Sequence, residues 1–231
     1  MGISAGPNIV RDSSLVLDLD ASDQNSYISG SLTWKDVSGK VNNGTLTNGP
    51  TYNSTKGGSI VFDGTNDYVT LNTLPNSNFS LISSSFTTEF WANFTTGSNG
   101  TLINSAQSAI NGGSYSITVR GNNIYASFYG TPTYTDIGGG TITTGSWYHF
   151  VNTFNYTNQT SSVYVNGVLM GAGSMALSPL VTSASLNMGR SNFGSGWFSG
   201  SMASAKVYNK TLSATEVQQN YNALKSRFGL R

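Results

Sequence analysis

No cysteine occurs among the 231 residues. This excludes a thiolate nucleophile, a cysteine-based zinc site and a disulfide framework, and it fits synthesis in a reducing compartment. Charge is scarce. Asp, Glu, Lys and Arg make up 9% of the chain, against about 25% in an average protein. The net charge is +1, so no basic field draws the chain to nucleic acid. No apolar run approaches the ~18 residues of a membrane span. There is one histidine, His149, and two glutamates, Glu89 and Glu216. The opening MGISAGPNIVRD has no apolar core of the signal-peptide kind, which sets the expectation of a chain made without export. Eight Asn-x-Ser/Thr sequons, the first four at Asn43, Asn53, Asn78 and Asn93, are read as chance in an Asn- and Thr-rich chain.

Alternation of apolar and polar residues fills the rest. In SLVLDLDA, Leu15, Leu17 and Leu19 are expected on one face, with Asp18 and Asp20 on the other. SSSFTTEFWANFTT is expected to turn Phe86 inward and, after a parity change, Phe90 or Trp91. YSITVRGNNIYASFYG reads as two strands about Gly121-Asn122-Asn123. SSVYVNGVLMG places Asn166-Gly167 between β-branched runs, a strong hairpin signal. The turn spacing suits an all-β sandwich. Residues 1–11 read as an N-terminal arm and 12–231 as one domain.

One helix is expected, over about residues 214–227. Ser213 followed by Glu216 is a capping box. Val217, Tyr221, Leu224 and Phe228 line one face. Lys225 and Arg227 suit the C-terminal dipole, and Gly229 is a stop. The apolar face is expected to pack on the sandwich; the alternative is a partner chain.

SIVFDGTNDYVTL, FTTEFWANF, WYHFVNTFN, VYVNGVLMG and GSMASAKVYNKTLSATEVQQNY occur in that order. Together they resemble the laminin-G-like modules of the concanavalin A-like lectin/glucanase superfamily. The resemblance runs from about Leu15 to Phe228 and implies a jelly-roll sandwich of two antiparallel sheets with a C-terminal helix. Such a fold carries lectins, glucanases and structural modules alike, so it leaves function open.

Catalysis is not expected. Glycoside hydrolysis needs two placed carboxylates. The E-x-D-x-x-E strand motif of the glucanase branch has no counterpart, since Trp91 stands where its Asp should follow Glu89. No G-x-S-x-G elbow serves a Ser-His-Asp triad. His149, in the run Trp147-Tyr148-His149-Phe150, is read as a structural residue of a strand, with its hydrogen-bonding needs met.

Two sets of binding residues stand out. WKDVSGKVNNGTLTNG resembles a relative's calcium loop. It offers Asp36, Asn42 and Asn43, with Asp63 or Asp67 as outside oxygen ligands for Ca²⁺. Lys40 and Val41 depart from that pattern, and the competing reading is a tight loop bonded to itself. For glycans, exposed aromatics beside amides or charges are Tyr129, Tyr134 and Asp136 on one loop, and Arg190, Asn192 and Phe193 on another. Trp197 and Phe198 are read as core.

Two roles follow. The first is a virion surface structural protein, a capsid decoration or fibre component of a phage. It would dock on capsid or other virion proteins through residues 1–11 as an oligomer or on a lattice. The alternative is a free-standing, extracellular carbohydrate-binding module of lectin or adhesin type. In both, cell-surface glycans are candidate partners.

Overall fold

The computed structural model of the chain describes residues 8–71, 84–96, 99–105, 114–129, 134–175, 186–191 and 196–231. The strands are β1 (Leu15–Asp20), β2 (Thr33–Trp34), β3 (Gly44–Thr47), β4 (Thr51–Asn53), β5 (Ser59–Asp63), β6 (Tyr68–Leu71), β7 (Phe86–Phe94) and β8 (Gly100–Ser105). They continue with β9 (Ser114–Arg120), β10 (Asn123–Tyr129), β11 (Tyr134–Thr141), β12 (Trp147–Asn155), β13 (Thr160–Val165), β14 (Val168–Ser174), β15 (Leu186–Met188) and β16 (Ser199–Tyr208). Among the described residues the one α-helix, α1 (Ala214–Leu224), follows and runs into a 3-10 turn, Lys225–Phe228.

The strands form two antiparallel sheets of eight, as expected for a jelly-roll sandwich. Sheet I has the order β14-β13-β12-β7-β16-β5-β4, with β1 also paired to β16. Sheet II has the order β11-β10-β9-β8-β15-β6-β3-β2. Both Asn-containing hairpins close on two residues of positive φ: Gly121 and Asn122 (55° and 64°), and Asn166 and Gly167 (51° and 78°). These are the turns whose twist matches that of the flanking strands. At one side β14 approaches β11 so closely that a Cβ on Gly171 would stand 2.1 Å from the Gly138 carbonyl oxygen.

The space between the sheets is filled largely by aromatics. Phe86 meets Tyr115 edge-on at 4.9 Å, and Phe94 meets Phe198 at 5.0 Å, the arrangement the ring quadrupole favours. The Tyr115 hydroxyl, buried here, bonds Thr88 Oγ1 at 2.6 Å, which meets the need of a polar tip in an apolar core. Phe86, Phe90 and Phe94 face this core without a change of parity, and Trp91 faces the opposite way, under α1. In β1 a bulge between Leu15 and Leu17 alters the alternation. It sends Leu15 to a cluster with Val10, Tyr208 and Val217 and leaves Val16, Leu17 and Leu19 in the main core.

Helix α1 covers the outer face of sheet I. Its capping box is formed: Ser213 Oγ accepts from the Glu216 amide and Glu216 Oε2 accepts from the Ser213 amide. Val217, Tyr221 and Phe228 are buried on the sandwich, and the Phe228 ring stacks on Trp91 at 4.3 Å. Gly229 ends the turn in the left-handed conformation. Arg227 does more than meet a helix dipole. It donates to Asp20 Oδ1 at 2.9 Å and to the carbonyls of Lys56 and Gly58. Residues 8–11 of the arm are tied to the body, since the Val10 amide donates to Asn220 Oδ1 and Arg11 pairs with Asp18.

Candidate functional site

The outer face of sheet II carries a continuous polar row. Strand alternation turns Ile124, Ala126 and Phe128 of β10 to the core, so Tyr125, Ser127 and Tyr129 point outward. The register then aligns one outward residue from every strand: Asp136, Ser127, Ser116, Asn104, Asn187, Thr70, Thr45 and Thr33. Ser127, Ser116, Asn104 and Asn187 are buried, while Thr45 and Thr33 are exposed. Short alcohols and amides carry both donors and acceptors; of this row the half-buried Asp136 and Thr70 and the exposed Thr45 and Thr33 are the members a hydroxyl-bearing ligand can reach.

Aromatic and charged groups flank the row. At one end Arg120 bonds Asp136 and Ser127 and lies over the Tyr125 ring at 4.5 Å. Tyr129 and Tyr134 stack at 5.8 Å across the β10–β11 pair, and Tyr134 is 61% exposed. Toward the other end Thr70 Oγ1 donates to Asn187 Oδ1 at 3.3 Å. There Arg190 sits over the Tyr68 ring at 3.8 Å, and that ring neighbours Trp197 at 6.3 Å.

Four of the glycan residues expected from the sequence, Tyr129, Tyr134, Asp136 and Arg190, therefore share this face. They do not form one cluster. Ser127 on β10 and Asn187 on β15 are separated by β9 and β8, about 14 Å at ordinary strand spacing. Asn192 and Phe193 lie outside the described residues. Trp197 is half-buried beside Tyr68, whereas Phe198 is core as expected. Of the residues that join the two groups, Ser116 and Thr70 stand on strands read from alternation, whereas Asn104 and Asn187 stand on β8, where a bulge breaks the alternation, and on the three-residue β15. Their alignment depends on strand order, which alternation does not give.

The expected calcium residues fall into two places. Asp36 accepts four bonds: Oδ1 from the amides of Asp18 and Ser38, Oδ2 from the Ser38 hydroxyl and the Asn42 amide, all at 2.8–2.9 Å. Asn43 Oδ1 accepts from the Asp36 amide, and Asn42 donates to the Val16 carbonyl. The loop thus uses its own oxygens. Asp63 and Asp67 belong to the β5–β6 turn, where Asp67 Oδ2 accepts from the Asp63 amide at 3.0 Å. Burial raises the Asp67 carboxyl, and the Thr65 amide lowers that of Asp63. Register puts the turn at the opposite end of β3 from Asn43, about 13 Å away. Among the described residues no three His, Asp or Glu side chains are grouped to hold a metal.

His149 lies beneath α1, on the far side of sheet I from the core, and is fully buried. Its neighbours were not apparent from the chain order. Glu89, from the adjacent strand β7, approaches within 3.3 Å, and Lys206 and Asp18 extend the same buried row. Neither ring nitrogen makes an aligned hydrogen bond, so its partner is a nearby charge rather than the satisfied bond expected of it.

No curated protein matches this chain. Among solved structures it is similar to domain 4 of AbnA, an extracellular arabinanase of Geobacillus stearothermophilus. The identity is 20% and the TM-score 0.71, over 90% of this chain and 98% of that one. It is also similar to the receptor-binding domain of botulinum neurotoxin C/D mosaic serotype, at 18% identity and TM-score 0.72, over 90% of this chain and 51% of that chain. A third is the binding domain of Paraclostridial Mosquitocidal Protein 1, at 18% identity and TM-score 0.69, over 91% and 52% respectively. The chain thus spans about half of the two toxin domains. At these identities the likeness is one of fold. A family description matches residues 63–218, more than half of the chain, and with the two-sheet architecture it makes this protein a member of the concanavalin A-like lectin/glucanases superfamily.

Proposed function

We propose that this chain is a carbohydrate-binding module without catalytic activity, and that it takes an oligosaccharide along the outer face of sheet II. The observation that carries this reading is the cross-strand row from Asp136 to Thr33, with Tyr125, Tyr129, Tyr134, Tyr68 and Trp197 around it. Hydroxyls and amides answer sugar hydroxyls, and aromatic rings answer the apolar faces of sugar rings. Similar folds add support: the arabinanase domain is in complex with arabinotriose, and a related botulinum binding domain is in complex with SialylT.

The non-catalytic part rests on where the acids sit. Glu89 is sealed under α1 and Glu216 belongs to the helix cap. On the polar row Asp136 is engaged by Arg120, and no second carboxylate stands opposite it among the residues of the row. A hydrolase needs such a pair.

A virion setting, as capsid decoration or fibre component, belongs to the same proposal, since a virion surface protein can bind host glycans. Its support is the sequence resemblance. Docking through residues 1–11 would have to release the bonds of Val10 and Arg11 or rest on residues outside the described ones.

The test is a glycan array with the purified protein, followed by calorimetry on the ligands found. Reproducible binding that weakens in Tyr68→Ala and Tyr134→Ala is expected. Absence of binding on a broad array, or binding untouched by both changes, would refute the sheet II site.

A further inference from the structure

All ten acidic residues of the chain lie in described segments, and their partners can be traced. Asp18 pairs with Arg11 and Lys206, Asp20 with Arg227, Asp136 with Arg120, and Asp12 and Glu216 with Lys210. Glu89 faces His149, and Asp23, Asp36, Asp63 and Asp67 are engaged by amides of their own turns or loops. Arg190 has none of them. Arg11, Arg120 and Arg227 each meet a carboxylate, whereas the Arg190 guanidinium makes one long hydrogen bond, 3.5 Å to Asn187 Oδ1. Its Nε–H is buried without an acceptor.

The group is nevertheless held in place. It lies on the Tyr68 ring at 3.8 Å, with Trp197 6.3 Å from that ring and its one hydrogen bond going to Asn187, which also accepts from Thr70. The polar face therefore carries one compensated cation, Arg120, and one uncompensated cation that stacking on an aromatic ring preorients. A planar guanidinium of this kind matches a carboxylate through two parallel N–H···O bonds.

We propose that Arg190 receives the carboxylate of an acidic sugar, so that the module selects carboxylate-bearing saccharides over neutral ones. This inference rests on the carbohydrate-binding reading of the same face. Tyr68 and Trp197 would pack the sugar ring while the half-buried Thr70 meets one of its hydroxyls. The Arg120–Asp136 end, already neutral, would meet uncharged parts of the ligand.

The experiment uses the full chain and pairs of saccharides that differ only in charge: uronic-acid or sialic-acid oligosaccharides and their methyl esters. Wild type is expected to bind at least one acid about ten- to a hundredfold more tightly than its ester, the range set by a hydrogen bond to a charged group. Added salt should narrow the gap. Arg190→Gln should abolish the preference, read as the ratio of acid to ester affinity, and Arg190→Lys should restore part of it. A thermal melt of each variant establishes that the fold is kept. Equal binding of acids and esters, or an acid preference that survives Arg190→Gln, would overturn the role of Arg190 and leave carbohydrate binding standing. Failure of every saccharide, acidic or neutral, would overturn both proposals.

Discussion

Glu89 Oε1 lies 3.3 Å from His149 Nε2, and both side chains are fully buried beneath α1. Burial alone would raise the Glu89 carboxyl; the His149 ring, Lys206 and Asn220 outweigh it and hold the group below its ordinary value. Removing one member of such a pair leaves the rest uncompensated. Glu89→Ala is therefore expected to cost about 3–5 kcal/mol, measured by urea unfolding at neutral pH. A cost below about 1 kcal/mol would show that the buried row does not depend on this carboxylate.

The same group makes a pH prediction. A carboxyl lowered in the folded state adds stability above its unfolded pKa, about 4.3 for Glu. That contribution is lost as pH falls through the folded value. Asp20, lowered by Lys206 and Arg227 against its burial, acts in the same sense. So does Asp12, which its bond from Lys210 and those from Ser14 hold down to about 2. Asp18 acts in the opposite sense, since burial raises its carboxyl, and it offsets part of the loss on acidification. The urea midpoint should fall as pH drops from about 5 to about 2, and fall less in Glu89→Gln. An identical decline in the variant would remove Glu89 from the account.

Asn220 joins three parts of the chain. Its Nδ2 donates to Glu89 Oε2 at 2.6 Å and to the Tyr208 hydroxyl at 3.0 Å, and its Oδ1 accepts from the Val10 amide at 2.7 Å. Asn220→Leu keeps the branching at Cγ and satisfies none of these. About 2–4 kcal/mol of destabilisation is expected from the groups left unpaired. Faster amide exchange at Val10 should accompany it; unchanged exchange there would mean that the arm is held by other contacts.

The helix cap predicts a smaller effect. Ser213→Ala removes the acceptor for the Glu216 amide and is expected to cost about 1 kcal/mol, read as a modest drop in Tm. A loss as large as that of Glu89→Ala would show that Ser213 supports more than the helix start.

The Asp36 loop predicts how the protein responds to calcium. Because four internal donors already occupy the carboxylate, Tm should be the same in calcium and in EDTA, and Asp36→Ala should destabilise the protein in both. A calcium-dependent rise in Tm that Asp36→Ala removes would restore the loop as a metal site.

Local chemistry was legible in the chain. Ser213 and Glu216 announced the helix start, Asn166-Gly167 the hairpin, and Phe86 and Leu17 their inward faces, because caps, two-residue turns and strand alternation act over a few residues. The parity of Leu15 was not, because the bulge that moves it is set by pairing with β16. His149 was seen as a strand residue, but its carboxylate neighbour is 60 positions away in a strand that only the sheet order places beside it.

The amino-acid sequence by itself determined the fold class, the capped helix and its buried face, and the period-two placing of Ser116, Ser127 and Thr70 on one side of their strands. Tertiary structure alone decided that these residues line up with Asn104 and Asn187, that Arg190 lacks an acid while Arg120 has one, and that Glu89 meets His149. The physical reason is that alternation depends on the geometry of a single strand. Register and strand order are set by contacts between segments far apart in the chain, and a shift of one residue in pairing would turn any of these side chains to the other face.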